Sequence, residues 1–290
     1  MPLVLYRLKA DLVHFLAPYI PLLYLGSHIT TVHDLTLLDF KNIRRFKLVY
    51  ELKYQISRLV FFRGLKSSKV LIAPSNFTKQ QLIKRFHLAT EKVVVVPGSA
   101  ELTKLTPGHY KGSKEPFLLY VGNAYPYKNL PRLIRAVAII CQNRPEFKLV
   151  LVGQDDWFYS NLRRQVAKSN LKKNVVFTGF VSDIKLISLY QRAKLFVFPS
   201  LSEGFGLPGL EAMAYGVPVL AAQASCLPEV LGNAATYFNP TDDIDLVNKI
   251  LELWDNPKKL KELKVKGYQQ VKKYSWAKTA AKTLEIYNRF

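Results

Sequence analysis

Residues 202–219 read SEGFGLPGLEAMAYGVPV, and this stretch decides how the chain around it folds. Pro208 stands where a helix begins, because its ring fixes φ and its missing N–H is not needed in the first helical turn. Gly204 and Gly206 precede it and let the backbone approach a ligand closely. The N-terminus of such a helix attracts an anion through its dipole and its unpaired N–H groups. The stretch therefore predicts a diphosphate site at a helix start that follows a strand.

Two carboxylates flank this helix start. Glu203 lies in the loop before the helix, and Glu211 lies about one turn inside it. A carboxylate that faced a bound phosphate would be repelled, so both side chains are expected to accept hydrogen bonds from neutral hydroxyls beside it. Sugar and ribose hydroxyls meet that requirement. The alternative is that both are solvated acids on either side of an ordinary loop.

Short apolar runs alternate with helical stretches along the chain, a pattern typical of a parallel sheet covered by helices. The fold class predicted from it is α/β, and the second part has the doubly wound form of a nucleotide-binding domain. The polar segment 97–115, rich in Pro and Gly, separates the two parts. Strands are predicted at 11–15, 28–33, 69–74, 93–96, 117–121, 147–152, 174–177, 194–198 and 217–221. Helices are predicted near 44–66, 76–87, 129–142, 157–169, 182–192, 208–215, 241–254, 256–272 and 275–289.

The string at 202–219 resembles the signature of family 4 of the glycosyltransferases, the glycosyl transferases group 1. Members are retaining enzymes of GT-B architecture, with two Rossmann-like domains facing a cleft. The resemblance implies that Glu203 contacts the donor sugar and Glu211 the ribose. It also implies that the backbone of Gly204, Phe205, Gly206 and Leu207 meets the sugar and diphosphate. The implied domains are an acceptor-side domain at 1–109, a nucleotide-sugar domain at 110–273 and a helix at 274–290 that crosses back to the first domain.

A second element follows the strand predicted at 117–121, where residues 120–130 read YVGNAYPYKNL. Ligands bind outside the carboxyl ends of parallel strands, so Lys128 is well placed to neutralise a diphosphate. The resemblance matches Lys128 to the family's lysine, and it places Gly122 and Asn123 in the donor site. Asn123 stands where the family has an arginine, so one of the usual two cations is missing. The alternative for Lys128 is an ordinary surface lysine.

Two further positions enter the candidate site through the resemblance. The turn that contains Gly179 and Val181 would meet the nucleotide base through backbone groups. His33, after the strand at 28–33, would reach the donor sugar from the first domain, although a lone His is usually structural. The catalytic candidates are therefore Glu203, His33 and Lys128. Ser75 in the segment SNFT resembles a family turn, and capping of the following helix explains it equally well.

No metal site and no cofactor is predicted. Asp155 and Asp156 are adjacent acids at a strand end, which more often cap a helix than bind a metal, and enzymes of the GT-B architecture typically work without one. Cys141 and Cys226 are far apart and have no partner at metal-ligand spacing, so neither a disulfide framework nor zinc is indicated. A reducing, cytoplasmic setting fits best.

The formal net charge of +21 restricts the partners to nucleic acid, anionic lipid or phosphorylated small molecules. Residues 41–92 carry thirteen Lys or Arg against two Glu. In the basic segment 41–66, Phe46, Tyr50, Tyr54, Phe61 and Phe62 are interleaved with the cations, which predicts peripheral contact with an anionic membrane on its inner face. An aromatic core face with a solvated basic face explains the segment about as well. Residues 12–32 lack charge, but Pro18 and Pro21 argue against a membrane span, and no targeting segment is expected.

The resemblance implies transfer of a hexose, mannose being the choice by likeness, from a GDP- or UDP-linked donor with retention. The acceptor would be a hydroxyl of a glycan or lipid-linked glycan in cell-surface polysaccharide or glycolipid synthesis. Relatives carry an earlier strand, a glycine-rich loop and a helix, so the first domain is expected to be incomplete at its N-terminus. One alternative is a non-catalytic remnant that binds a nucleotide sugar or a partner protein. A basic nucleic-acid-binding protein is disfavoured because no binding module of that class is recognised.

Overall fold

The computed structural model describes residues 2–40, 47–100 and 116–290. It divides into two compact units, Met1–Gly98 with Trp276–Phe290 and Ser99–Ser275. The domain boundary expected between residues 109 and 110 lies outside the described residues. Within the described part of the chain, no helix has the length and apolar character needed to cross a bilayer.

The first unit is built on a four-stranded parallel sheet of order β1-β2-β3-β4. Successive residues of its third strand point to opposite faces, as the pleat of a strand requires. Leu71 packs on one face with Leu65 and Leu82, and Ile72 packs on the other with Val96. Both faces are therefore covered, as is usual for a parallel sheet. The elements up to residue 98 are α1 (Pro2–Arg7), β1 (Val13–Phe15), β2 (His28–Thr31), α2 (Thr36–Asp39), α3 (Lys47–Ser67), β3 (Leu71–Ala73), α4 (Asn76–Phe86), the short 3-10 turn Thr90–Lys92 and β4 (Val93–Val95).

The second unit is built on a six-stranded parallel sheet of order β10-β9-β8-β5-β6-β7. Its strands and helices alternate in β5 (Leu118–Val121), α5 (Leu130–Asn143), β6 (Leu149–Val152), α6 (Trp157–Lys168), β7 (Val175–Gly179), α7 (Asp183–Arg192), β8 (Leu195–Phe198), α8 (Leu207–Ala214), β9 (Val219–Ala222), α9 (Leu227–Leu231) and β10 (Ala235–Phe238). The unit closes with α10 (Asp243–Trp254) and α11 (Pro257–Val271), and short 3-10 turns cover Pro126–Lys128 and Gly232–Ala234.

The order of these strands locates the place where a ligand binds. Counted within the unit, the order is that of the doubly wound dinucleotide-binding fold, in which the direction of winding reverses between the first and fourth strands. Here those strands are β5 and β8, which pair directly through Leu118 and Leu195. Ligands of such sheets bind at the carboxyl ends of the two strands at this switch point. The loops after Val121 and after Phe198 are therefore the ones that matter for function.

The C-terminal helix α12 (Trp276–Tyr287) is grouped with the first unit. Its Ile286 is almost fully buried against Ile29 and Ile72, which contributes about 1.5–3 kcal/mol by the usual worth of a buried aliphatic side chain. Thr279 Oγ1 donates a hydrogen bond of 2.6 Å to the carbonyl of Pro97. The helix is thus held to this unit at both of its ends.

Each strand predicted from the sequence overlaps an observed one, and the large predicted helices are present. Three observed elements, β10, α9 and α2, were not predicted from the sequence. The residues of β10 read ATYF, which is not a continuous apolar run and so does not predict a strand. This strand lies at the edge of the sheet. The helices α9 and α2 have five and four residues, too few to show a helical period.

Candidate functional site

The start of α8 is shaped by glycine. Gly206 occupies the N-cap position of the helix with φ of 91°, a left-handed conformation that residues with a side chain rarely adopt. A Cβ there would lie 2.8 Å from Leu227 Cδ2 and 3.3 Å from Phe198 Cε1. A Cβ on Gly209 would lie 3.1 Å from Phe198 Cδ1. The two glycines therefore let α8 begin directly against the end of β8, and no side chain caps its first turn. Backbone N–H groups at such an uncapped start favour an anion.

Lys128 and Glu203 meet beside this helix start. Lys128 ends the turn after β5, Glu203 lies in the loop after β8, and Lys128 Nζ donates to Glu203 Oε1 at 2.6 Å. Their side chains are only 10% and 12% exposed. The interpretation of Lys128 as an ordinary surface lysine is therefore wrong, and Glu203 is not a solvated acid. The two loops are also joined by their backbones, since Leu201 N donates to the carbonyl of Tyr127 at 2.7 Å.

Aromatic rings and a serine complete the surroundings of this ion pair. Lys128 Nζ lies 5.1 Å from the ring centroid of Tyr127 and 5.9 Å from that of Phe198, within the range of cation–π attraction. The backbone N–H of Glu203 donates to Ser225 Oγ at 3.1 Å. The ammonium is thus held among low-dielectric neighbours, where its attraction to an anion is stronger than at the surface.

Glu211 lies within α8 and is mostly buried. Its Oε2 accepts a hydrogen bond of 3.1 Å from the hydroxyl of Tyr190 on α7. Burial raises the pKa of Glu211, and the hydrogen bond from Tyr190 partly offsets that shift by favouring the ionised form. The alternative that Glu211 is a solvated surface acid is wrong. Sequence reasoning missed Tyr190, because its partner lies 21 residues away on a different helix.

The loop after β5 is held by two tyrosines that sequence reasoning also missed. Gly122 has φ of 148°, and its carbonyl accepts from Tyr159 OH at 2.7 Å. The carbonyl of Asn123 accepts from Tyr120 OH at 2.7 Å, and Asn123 Oδ1 accepts from the backbone N–H of Tyr125 at 3.2 Å. The side chain of Asn123 is therefore engaged in the turn itself. Both tyrosines lie within predicted secondary structure, where an aromatic residue indicates the core and not a site.

Gly179 ends β7 and Val181 follows it. Gly179 has φ of 69°, while a Cβ on it would meet no atom within 4 Å, so backbone conformation and not space favours glycine there. Val181 is 8% exposed, whereas the intervening Phe180 is 85% exposed. Contact of this turn with a nucleotide base stays a prediction.

His33 follows β2 in the first unit, and its side chain is exposed. Two residues earlier, Thr31 Oγ1 is hydrogen-bonded to His14 Nε2 at 2.8 Å. The other ring nitrogen of His14, Nδ1, lies 2.6 Å from the hydroxyl of Tyr287. Burial, and secondarily the charge of His33, lower the pKa of His14. The structure thus brings Lys128 and Glu203 into direct contact, while His33 belongs to the other unit and its role stays a prediction.

The acids considered as metal ligands have structural partners. Asp156 caps α6 by accepting from the N–H groups of Phe158 at 2.9 Å and Tyr159 at 3.0 Å, and Asp155 pairs with Arg163 at 3.0 Å. Ser75 caps α4 by accepting from Thr78 N at 3.1 Å. Within residues 2–40, 47–100 and 116–290, no cluster of three or more His, Cys, Asp or Glu is arranged to hold a metal ion.

Comparison with known proteins identifies the family of the chain. The model of the glycosyl transferases group 1 matches residues 104–270, and the model of glycosyltransferase family 4 matches residues 1–104. The chain is 27% identical over 269 residues to O-antigen chain mannosyltransferase B of Escherichia coli, covering 89% of this chain and 69% of that protein. It is 31% identical over 251 residues to the serotype-specific mannosyltransferase WbdA of Escherichia coli, of which it spans only 31%, with 86% of this chain covered.

A solved structure shows the fold. Sucrose-phosphate synthase from Thermosynechococcus elongatus superposes with a TM-score of 0.82 at 22% identity, over 99% of this chain and 76% of that one. At that level of identity the likeness concerns the fold alone. The α/β fold class of the GT-B type, expected from the sequence, is confirmed.

Proposed function

This chain belongs to the glycosyl transferases group 1 family, and on that premise we propose that it moves a hexose from a nucleoside diphosphate sugar to an acceptor hydroxyl, with retention at the anomeric carbon. The observation that carries the proposal is the buried pair of Lys128 and Glu203 at the switch point beside the start of α8. A cation, an uncapped helix start and a carboxylate meet there, which suits a diphosphate joined to a sugar.

Each group has a distinct part in the proposed reaction. Negative charge grows on the departing diphosphate as the bond to the anomeric carbon breaks. Lys128 and the backbone N–H groups at the start of α8 stabilise that charge where it develops. Glu203 accepts hydrogen bonds from sugar hydroxyls, and Glu211 accepts them from the ribose. The acceptor oxygen bonds to the anomeric carbon on the face that the diphosphate leaves, and the proton of the acceptor hydroxyl passes to the departing diphosphate. This step needs neither a protein nucleophile nor a metal. The assignment of His33 to the donor sugar rests on the family resemblance alone.

The identity of the sugar and acceptor is proposed from the relatives. Two relatives are named as mannosyltransferases, and one of these names refers to the O-antigen chain. Mannose, from a GDP- or UDP-linked donor, is therefore the proposed sugar, and a glycan or lipid-linked glycan of a cell-surface polysaccharide is the proposed acceptor. Binding of a nucleotide sugar without transfer would support the alternative of a non-catalytic protein.

We also propose peripheral contact with the cytoplasmic face of an anionic membrane through α3. Leu52, Ile56 and Leu59 follow one another at helical spacing and are 64%, 52% and 63% exposed. Exposed Lys53, Arg58, Arg63 and Lys66 accompany this apolar stripe, while Phe61 and Leu65 face the core. Apolar side chains beside basic ones suit the headgroup region of an anionic bilayer. Phe46 and the side chain of Tyr50, also part of the original prediction, lie outside the described residues.

Vesicle flotation tests this contact. With phosphatidylglycerol vesicles the protein is expected to float, and flotation should fall as salt rises. The variant Arg58→Glu/Arg63→Glu should lose most of its flotation, since each cation near the surface contributes about 1 kcal/mol. The matched control is Lys172→Glu/Lys173→Glu, which reverses two exposed charges in the second unit. Equal flotation of both variants would contradict the assignment to α3.

A thermal-shift panel tests the donor site. GDP, UDP and their sugars are added to the wild type, to Glu211→Ala and to Glu146→Ala, which removes an exposed glutamate of the same unit. At least one nucleotide should raise the melting temperature of the wild type and of Glu146→Ala, because binding to the native state alone stabilises it. The shift should be lost in Glu211→Ala. A folded wild type that no nucleotide stabilises would overturn the proposal.

A further inference from the structure

Tyr190 is buried and packs against two other aromatic rings. It lies on α7, is 1% exposed, and stacks on Tyr215 with ring centroids 5.4 Å apart and planes 17° apart. Phe196 of β8 packs against it at 6.0 Å. The buried ring therefore places its hydroxyl at a defined position inside the unit. That hydroxyl points to Glu211 Oε2 at 3.1 Å.

The contact with Tyr190 favours the ionised form of Glu211. Burial disfavours the ionised carboxylate, and among the described residues Tyr190 is the only titratable or charged side chain that shifts the pKa of Glu211. Burial also raises the pKa of Tyr190 well above its usual value, so the hydroxyl stays protonated and remains a donor. Oε1 of Glu211 makes no hydrogen bond within the described part of the chain.

We infer that Tyr190 is a positioning residue for the nucleotide: its hydroxyl holds Oε2 of Glu211, so that the other carboxylate oxygen, Oε1, is presented to the ribose hydroxyls. The inference rests on the proposed function, in which Glu211 meets the ribose. An ionised carboxylate only accepts, which matches a ligand that presents two hydroxyl donors. A protonated or rotated carboxyl group would lose part of that match. Tyr190 then acts on the nucleotide through Glu211 without touching it.

The decisive variant is Tyr190→Phe, which keeps the ring between Tyr215 and Phe196 and removes only the hydroxyl. Affinity for the nucleoside diphosphate is expected to fall about tenfold at neutral pH, the usual effect of losing one hydrogen bond to a charged group. The pKa of Glu211 should also rise further. Nucleotide affinity should therefore begin to decline at a higher pH in the variant than in the wild type as the solution is acidified.

The experiment is isothermal titration calorimetry over a range of pH, with UDP or GDP as the nucleotide and inorganic diphosphate as a ligand that lacks ribose. The control is Tyr237→Phe, whose hydroxyl donates to the carbonyl of Gly232 at 2.6 Å and is likewise removed from a packed ring. Glu211→Gln and the double variant Tyr190→Phe/Glu211→Gln complete the set. In the Glu211→Gln background, loss of the Tyr190 hydroxyl should have little further effect on affinity.

The outcomes separate the inference from the function on which it rests. If the wild type binds no nucleotide, the proposed function fails. If it binds and Tyr190→Phe keeps the wild-type affinity and pH profile, or loses diphosphate affinity equally, the inference is overturned. A full effect of Tyr190→Phe in the Glu211→Gln background would also overturn it. Should Tyr190→Phe not fold, site-specific 3-fluorotyrosine at 190, a stronger donor, is expected to shift the acid decline to lower pH, and an unchanged profile would contradict the inference.

Discussion

The buried pair of Lys128 and Glu203 allows a double-mutant cycle that separates its effect on stability from its effect on binding. Lys128→Met removes the ammonium and leaves a carboxylate that is 12% exposed without its cation. Breaking one side of a buried ion pair costs about 3–5 kcal/mol of unfolding free energy, because the remaining charge stays desolvated. Glu203→Leu leaves the Lys128 ammonium, which is 10% exposed, without its carboxylate and should cost about 3–5 kcal/mol of unfolding free energy for the same reason.

The double variant Lys128→Met/Glu203→Leu should recover most of this loss. Apolar side chains of similar size need no compensation for a buried charge, so stability is expected within about 1 kcal/mol of the wild type. Binding should behave in the opposite way, because the double variant retains neither the cation for the diphosphate nor the acceptor for the sugar. Single variants that break the pair are therefore expected to lose stability, and the double variant that replaces the pair is expected to keep its stability but lose nucleotide-sugar binding.

Urea unfolding followed by circular dichroism and by tryptophan fluorescence measures both units, with Trp157 and Trp254 in the second unit and Trp276 in the first. Calorimetry with the nucleotide sugar measures binding. The two compact units need separate transitions in the fit, since a chain with two units does not guarantee two-state unfolding. Strict additivity of Lys128→Met and Glu203→Leu in unfolding free energy would refute the coupling, and so would full binding by the double variant.

Five further perturbations have expected outcomes. In urea unfolding, Gly206→Ala should lower the free energy of unfolding by about 1–3 kcal/mol more than Gly179→Ala does. Both glycines have positive φ, but of the two only Gly206 lacks space for a Cβ. Equal losses of stability would contradict this. Asn123→Arg should tighten diphosphate binding about fivefold or more in calorimetry by supplying a second cation, and weaker binding would show that the turn held by Asn123 Oδ1 matters more. Asp156→Ala should lower the free energy of unfolding by about 1 kcal/mol, because the helix cap is lost. EDTA should leave the rate of sugar transfer unchanged. Inhibition by EDTA that a divalent ion restores would contradict metal independence. The hydrogen bond from Arg135 lowers the pKa of Asp243 in the folded protein. Asp243→Asn should therefore lower the free energy of unfolding at pH values above the pKa of an Asp in the unfolded chain, and this loss should shrink as the pH falls through the lowered pKa of the folded state. A loss of stability that grows on acidification would contradict that assignment.

Much of the second unit follows from local patterns in the sequence. The apolar runs give its first five strands, and Pro208 locates the start of α8 within one residue of Leu207. The contact of Lys128 with Glu203 spans 75 residues and depends on β5 lying beside β8. Only the family resemblance anticipated that these two residues share a site. The contact of Tyr190 with Glu211 was not anticipated at all, because it depends on how α7 and α8 pack.

The edge strand β10 shows the other limit of pattern reasoning. Its residues Thr236 and Tyr237 are half-buried and its flanks carry little apolar sequence, so the local signal is weak. Pairing with β9 along its whole length holds it in the sheet. Pairing with a strand from another part of the chain therefore determines β10, and its own sequence shows no hydrophobic periodicity that would predict it.

The proposed function requires a nucleoside diphosphate sugar to bind at the carboxyl ends of β5 and β8. A crystal structure of the protein soaked with the donor that gives the largest thermal shift tests it most directly. Density is expected for the diphosphate at the start of α8 within hydrogen-bond distance of Lys128 Nζ, with the ribose hydroxyls on Glu211 and the sugar on Glu203. A donor bound elsewhere, with Lys128 and Glu203 still joined to each other and free of ligand, would contradict it.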